Sequence, residues 1–402
     1  HGTKTVAVYC GVAGVSNFEL SAFTQRFRSV FGTPNMFSVE SMCYRSRIFA
    51  RQTLFSTYLI EEPEKANCII LWGHNPDESR FTLAKQIRQS LARGLKLIVI
   101  DPKRIPLAAH GIYLQARPGT DLAIALAMIH VIIKETLYDA EFVRDYCFGF
   151  DKLAEHIKQY TPEWAEEISD VSAEDIKQVA RIFATTKNAC ITQGINTHDQ
   201  KVLGAQISRT FGILQAITGN IQKPGAWTSI PFLRFGELRV PLEERPIGAD
   251  VYPLFDTLWN KEAPYGQGML LPQAILEEKP YPIKALLVAG SAMALTFPNS
   301  KLIEEALKKL ELLVVSELFM TSTAEFADVV LPVCTSFERA GIGYVYGVNH
   351  GLPYIMLRNR VIEPLYESRP DWQIWAELGR RLGYSDYFPW KTDEELIEYL
   401  LK

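Results

Sequence analysis

Two kinds of residue in this 402-residue chain have types and spacings suited to chemistry. One is a cysteine with arginines beside it; the other is an acid that ends an apolar run at a set distance after a glycine. Cys43 stands in Glu40-Ser41-Met42-Cys43-Tyr44-Arg45-Ser46-Arg47. Two cations this close favour the thiolate, the form that attacks electrophiles and binds metals. A lone cysteine is as readily a small buried apolar residue, and spacing alone leaves both readings open.

The glycine–acid pairing occurs twice. In the first copy Ile69-Ile70-Leu71-Trp72-Gly73-His74-Asn75-Pro76-Asp77-Glu78-Ser79 leads into a helical pattern, then Leu97-Ile98-Val99-Ile100-Asp101. In the second, Leu286-Leu287-Val288-Ala289-Gly290-Ser291 leads through Asn299-Ser300 and a helix to Leu312-Leu313-Val314-Val315-Ser316-Glu317. Gly73 precedes Asp101 by 28 positions and Gly290 precedes Glu317 by 27. A glycine at a strand's carboxyl end lets a phosphate approach the backbone. Ser79 or Ser300 capping the next helix would present free N–H groups to an anion. The acid after the next strand sits where dinucleotide folds place a ribose- or base-reading carboxylate. The spacing is neither GxGxxG nor GxxxxGK[ST], which disfavours nicotinamide and ATP. One such unit is ordinary βαβ punctuation; two with matched spacing point to two related nucleotide sites.

Three further segments are ligand-like. Arg117-Pro118-Gly119-Thr120-Asp121 opens a helix, with Thr120 or Asp121 as its cap and Arg117 able to grip a phosphate with both prongs. Gly194-Ile195-Asn196-Thr197-His198-Asp199-Gln200 follows a short apolar run. There His198 is equally a ligand-facing donor and a surface or cap residue. Thr321-Ser322-Thr323 and Asp328 follow the second unit and read as phosphate contacts.

The elements that must position these residues alternate. Apolar runs at Thr5–Tyr9, Cys68–Trp72, Leu95–Ile100, Cys190–Thr192, Ile283–Val288, Leu312–Val315 and Val329–Leu331 are interleaved with helical patterns. Those patterns lie at Phe18–Phe31, Arg80–Ala92, Leu122–Ile133, Lys201–Ile217 and Lys301–Leu310, and two more close the chain at Asp371–Leu382 and Asp393–Leu401. Continuous apolar strands between helices predict an α/β fold of doubly wound, mostly parallel sheets. We expect two dinucleotide-binding-like domains related as pseudo-repeats: residues 43–249, and residues 1–42 with 250–402. Residues 224–273, rich in Pro, Gly and aromatics, read as a long loop.

Composition narrows the function. A net charge of −4 lacks the basic face of a nucleic-acid binder. No apolar run reaches eighteen residues, so no membrane-spanning helix is expected. The six cysteines (10, 43, 68, 147, 190 and 334) have no paired spacing, which disfavours a zinc or iron–sulfur framework within the chain. The chain starts at His1 with no leader-like segment, so compartment is unread: cytoplasmic or periplasmic, with a membrane-associated complex among the options.

Read in order, five segments resemble the bis-pterin-guanine-dinucleotide oxidoreductases, the group of dimethyl sulfoxide reductase, formate dehydrogenase, thiosulfate and polysulfide reductases and periplasmic nitrate reductase. They are Trp72-Gly73-His74-Asn75-Pro76-Asp77-Glu78-Ser79, Val99-Ile100-Asp101-Pro102-Lys103-Arg104, Arg117-Pro118-Gly119-Thr120-Asp121, Ile217-Thr218-Gly219-Asn220-Ile221-Gln222-Lys223-Pro224-Gly225, and Thr323-Ala324-Glu325-Phe326-Ala327-Asp328-Val329-Val330-Leu331-Pro332. The resemblance implies that Cys43, 30 positions before Gly73, is the protein ligand of molybdenum or tungsten. It implies that the Gly73 and Gly290 units each hold one pterin guanine dinucleotide, with Asp101 and Glu317 reading guanine or ribose. Arg47 then becomes a catalytic candidate, and Met42, Tyr44, Arg45 and Trp227 candidate pocket residues. The implied activity is two-electron redox on a small substrate. Electrons would pass to a [4Fe-4S] cluster in an N-terminal region or partner outside this chain. Three departures are visible. Tyr44 stands where formate dehydrogenases have His. Arg234 only loosely matches their arginine. Gly290-Ser291-Ala292 replaces the usual Gly-Asn-Pro. The N-terminal cysteine-rich segment and C-terminal barrel of the family are not in the sequence. A non-redox hydratase or transhydroxylase, and a pterin-free scaffold subunit, are the competing readings.

Overall fold

A stretch of apolar residues buried on every side is the feature that organises each half of this chain. The computed structural model describes residues 2–11, 17–199, 202–229, 235–253, 256, 265–343 and 355–402. The strands in chain order are β1 (Val6–Cys10), β2 (Met36–Ser38), β3 (Leu59–Glu61), β4 (Cys68–Trp72), β5 (Lys96–Ile100), β6 (Ile112–Leu114), β7 (Ala189–Gln193), β8 (Trp227–Ser229), β9 (Ala285–Ala289), β10 (Leu312–Glu317), β11 (Val329–Pro332), β12 (Gly341–Gly343) and β13 (Met356–Arg358). They divide between two compact units. Unit 1 comprises His1–Met42, Phe232–Gly347 and Pro353–Lys402; unit 2 comprises Cys43–Pro231 and Val348–Leu352.

Unit 2 is built on a parallel sheet in the order β6-β5-β4-β7. Every residue of β4 and β7 is buried, so layers must cover both faces. The helix Phe81–Leu91 joins β4 to β5, burying Leu83, Ala84 and Ile87 along one stripe. The helix Asp121–Lys134 is apolar nearly all round and buries Ala123–Ala125 and Ala127–Ile132. Its one polar interior residue, His130, meets the Ile157 carbonyl through Nδ1 at 3.0 Å. Helices Pro162–Ser169 and Ala173–Thr185, which sequence reading does not single out, pack on it.

Unit 1 carries a parallel sheet in the order β11-β10-β9-β1-β2. The helix Phe18–Phe31 is capped by Asn17, which accepts from Leu20 N, and ends at Gly32 with φ 85°. Its Leu20, Phe23 and Phe27 pack with Trp372 and Trp375 of the helix Asp371–Arg381. Stripped of β2, the order β11-β10-β9-β1 repeats β6-β5-β4-β7 strand for strand. The chain, however, enters the two sheets differently: β7 is the last strand of its sheet to be made, whereas β1 is the first of its own. Among the described residues no helix is long and apolar enough to cross a membrane.

Candidate functional site

Cys43 lies between the short turn Val39–Met42 and the helix Arg45–Phe55. The residue after it, Tyr44, has φ 67°, a left-handed conformation that costs a side-chain-bearing residue about 1–2 kcal/mol. Named contacts hold it there. Its N–H donates to Asp199 Oδ1 at 2.8 Å, and its hydroxyl lies 2.6 Å from that of Tyr58. Arg47 donates to the same hydroxyl at 3.2 Å, with its guanidinium 4.7 Å over the ring.

Beneath this turn lies a buried charged network. Arg47 donates to the Gln193 carbonyl. Arg51, 1% exposed, donates to the Leu59 carbonyl at 2.6 Å, to Glu61 Oε1 at 2.6 Å and to Gln193 Oε1 at 3.3 Å. Burial alone would push the Glu61 carboxyl up, but Arg51 and Arg47 beside it win and hold it at about 2. Trp227, expected in a substrate pocket, is instead fully buried as the platform under Arg51, 3.9 Å away, and its indole donates to the Ile191 carbonyl at 2.9 Å.

His198 is neither on the surface nor ligand-facing: it is fully buried, and burial depresses its basicity. Its Nδ1 lies 3.3 Å from Gln193 Nε2, and its Nε2 lies 3.1 Å from Asp199 Oδ1. The expectation that arginines would leave Cys43 ionised is also corrected. Burial, then the charge of Asp199 and its hydrogen bond, push the thiol up to about 11, and Arg47 offsets this only in part. Without a metal the sulfur keeps its proton.

At the carboxyl end of β4, Gly73 has φ 56° and donates to the Ile100 carbonyl at 2.8 Å. Gly194, at the end of β7, donates to the Trp72 carbonyl at 2.9 Å. The two backbones pass so closely that a β-carbon on Gly194 would lie 1.6 Å from the Gly73 carbonyl oxygen. Asn75, two positions after Gly73, has neither its amide nitrogen nor its oxygen paired. His74 Nδ1 lies 3.0 Å from the Thr192 hydroxyl. Trp72 contributes no exposed side chain; its indole donates to Asp121 at 3.0 Å and packs on Phe211.

The caps differ from those expected. Ser79 closes its own turn onto the Asn75 carbonyl, and the following helix has no side-chain cap. Asp121 is taken up by Trp72, while Thr120 bonds back to the Arg117 carbonyl. Arg117 grips Asp170 with both prongs, at 2.9 and 2.5 Å, so its fork is already filled. At the end of β5, Asp101 accepts from Lys103 N at 2.8 Å, and burial pushes its carboxyl up. Lys103 pairs with Glu78 at 3.1 Å, the Pro102 carbonyl accepts from Gln115, and Arg104 lies over Tyr113. Gly119 has φ 92° and open space around it.

Unit 1 repeats the glycine arrangement. Gly290, φ 62°, follows β9 and donates to the Ser316 carbonyl at 3.4 Å; Gly11 follows β1 and donates to the Ala289 carbonyl at 2.9 Å. A β-carbon on Gly11 would lie 2.1 Å from the Gly290 carbonyl oxygen. Gly290, Ser291, Ser316 and Glu317 line a cleft of ≈ 340 Å³ together with Asn17, Arg339, Arg358 and Asp371. Sequence reading finds the first four and misses the other four, and it also misses Gly11 beside Gly290. Asn299 is the helix cap, its side chain accepting from Leu302 N at 3.3 Å in place of the expected Ser300. Thr321 and Thr323 are spent on the Ala324 and Ala294 N–H groups, and Asp328 on Leu313 N. These three hold the backbone. Arg234 lies outside the described residues.

Residues 1–381 match the family model described as molybdopterin oxidoreductase. The chain is 35% identical over 357 residues to the F420-dependent formate dehydrogenase subunit alpha of Methanocaldococcus jannaschii, covering 86% of this chain and 52% of that protein. It is 29% identical to the thiosulfate reductase molybdopterin-containing subunit of Salmonella typhimurium, covering 97% and 53%. The solved structure of acetylene hydratase from Pelobacter acetylenicus superposes with a TM-score of 0.88 at 28% identity, over 99% of this chain and 58% of that one. The chain therefore spans about half the length of the curated relatives it matches.

Proposed function

Because the chain belongs to the molybdopterin oxidoreductase family, whose cofactor is a pterin carrying molybdenum or tungsten, we propose that it is the cofactor-holding core of a catalytic subunit. In this reading the cofactor takes the bis-guanine-dinucleotide form, and Cys43 is its protein ligand. Electrons pass to an iron–sulfur cluster carried outside residues 1–402. When bound, the group supplies a two-electron couple for oxygen, sulfur or hydride exchange with a small substrate.

The residues present fit such a group. Cys43 is a soft donor suited to a soft metal. Each unit has a glycine pair where backbone, not side chain, fronts the ligand, as a pyrophosphate needs. The observation that carries the reading is the sameness of the two pairs. Gly73 with Gly194 and Gly290 with Gly11 lie at equivalent strand ends and are closed by equivalent hydrogen bonds. Asn75 adds an uncommitted donor and acceptor in unit 2, and the acids Asp101 and Glu317 end the neighbouring strands.

The chain's own groups have definable tasks. Arg47 and Arg51 place fixed positive charge behind the Cys43 turn, favouring electron-rich states of whatever binds there. Metal ligation requires the thiol to release its proton, so loading is favoured as pH rises. In a Cys43→Ala variant of the intact enzyme, turnover should fall to background while pterin, read by fluorescence after release, is retained. Near-normal turnover would remove Cys43 as ligand.

The likeness to acetylene hydratase favours one alternative, a non-redox relative using the same cofactor. Reduction of a viologen dye coupled to substrate turnover separates them: the redox reading requires it, and the hydratase reading forbids it.

A further inference from the structure

We infer that Asp199 is the positioning residue of the Cys43 ligand, and that the Gln193–His198 pair aims it. This rests on Cys43 being the metal ligand.

Proton directions in the buried network follow from one fixed donor. Arg51 donates to Gln193 Oε1, so the amide nitrogen faces the other way. There its two protons are shared among the Ser208 hydroxyl at 2.7 Å, the Thr197 hydroxyl at 3.1 Å and His198 Nδ1 at 3.3 Å. Nδ1 is left to accept, and the neutral imidazole of His198 is protonated on Nε2, the side that faces the Asp199 carboxylate. That nitrogen lies 3.1 Å from Asp199 Oδ1, close enough for electrostatic attraction though not aligned as a hydrogen bond. The His198 side chain is fully buried, so solvent does not compete.

The same Asp199 oxygen accepts the Tyr44 N–H at 2.8 Å, and the carboxylate is near enough to the Cys43 thiol to help push it up. It therefore holds the left-handed peptide immediately after the ligand and sets the charge beside the ligand atom. Released from Asp199, Tyr44 relaxes toward the ordinary negative φ, and the Cys43 sulfur turns with it. Arg45 N–H, which donates to the Cys43 carbonyl at 2.8 Å, closes the turn but leaves the sulfur direction open. The arrangement matches a supporting shell that orients a first ligand.

X-ray absorption at the metal edge of the holoprotein tests this, because it counts sulfur neighbours of the metal without requiring turnover. Wild type and Cys43→Ala set the two limits. Asp199→Ala should give the Cys43→Ala spectrum, one sulfur fewer. Asp199→Asn, whose amide oxygen still accepts from Tyr44 N–H, should restore the wild-type count. A wild-type sulfur count in Asp199→Ala would overturn the inference. Should that variant not fold, Asp199→Ser, polar but too short to reach Tyr44, carries the same expectation and the same overturning result. A metal edge unchanged between wild type and Cys43→Ala would instead refute the ligand assignment on which the inference stands.

Discussion

Tyr44 is a strained residue kept in place by its neighbours, and the strain lies one residue from the cysteine whose sulfur is proposed to meet the metal. Its support runs through Asp199, 155 positions away in the chain. The family resemblance picks out Cys43, at its 30-position distance before Gly73. It does not pick out Asp199, Gln193 or Glu61, whose roles come from packing alone. The same limit explains Arg117, Thr323 and Asp328: each has the right type for phosphate, and each is taken by a local partner invisible in one dimension. Glu61 gives a residue-scale prediction. Its folded carboxyl titrates at about 2, below the ordinary value of 4.5, so its stabilising charge is fully present above that ordinary value. That stability is lost as pH falls from about 4.5 towards 2. Glu61→Gln should cost about 3–5 kcal/mol at neutral pH, because Arg51 is left buried without its counter-charge. Urea midpoints should show the gap between wild type and variant closing as pH drops through that window. A variant as stable as wild type at pH 7 would contradict the role of the pair.

Elements position the site through their ends. Strand cores and helix stripes are legible in sequence because burial on both faces writes continuous apolar runs, as in Cys68–Trp72 and Ala285–Ala289. Caps are less legible, since several polar residues stand near each helix start and geometry selects one. At the helix Ser300–Lys309 the selected residue is Asn299, which combines φ 60° with a side-chain bond to Leu302 N. Asn299→Ala should therefore cost about 1–2 kcal/mol, and Ser300→Ala nearly nothing, in paired urea melts. Equal losses would reverse the assignment. The glycine pairs are a harder constraint. Gly194→Ala and Gly11→Ala each drive a methyl into a carbonyl oxygen and should cost about 1–3 kcal/mol by forcing two strand ends apart. Each should also lower bound guanine nucleotide to about half, because one cradle is spoiled and the other is intact. Full nucleotide content in both variants would separate the glycine pairs from cofactor binding.

At the scale of the molecule, the chain carries one strand order twice with different connections. The two glycine–acid units are visible in linear sequence because both run strand, helix, strand in the same direction. The fourth strand is not, because β7 follows its unit whereas β1 precedes its own by most of the chain. Gly11 thus has no neighbour in sequence to announce it, although it occupies the place of Gly194. The long segment 224–273 is legible only as irregular: β8 begins it, and the helix Leu271–Glu277 overlaps its end. One nucleotide cradle in each unit, with Cys43 as the metal's protein ligand, is the central claim, and its composition can be counted. Elemental analysis and guanine nucleotide release from the intact, anaerobically purified protein test it most directly. The account predicts molybdenum or tungsten, with one guanine nucleotide for each cradle, two per metal. An intact protein with neither metal nor nucleotide would contradict it.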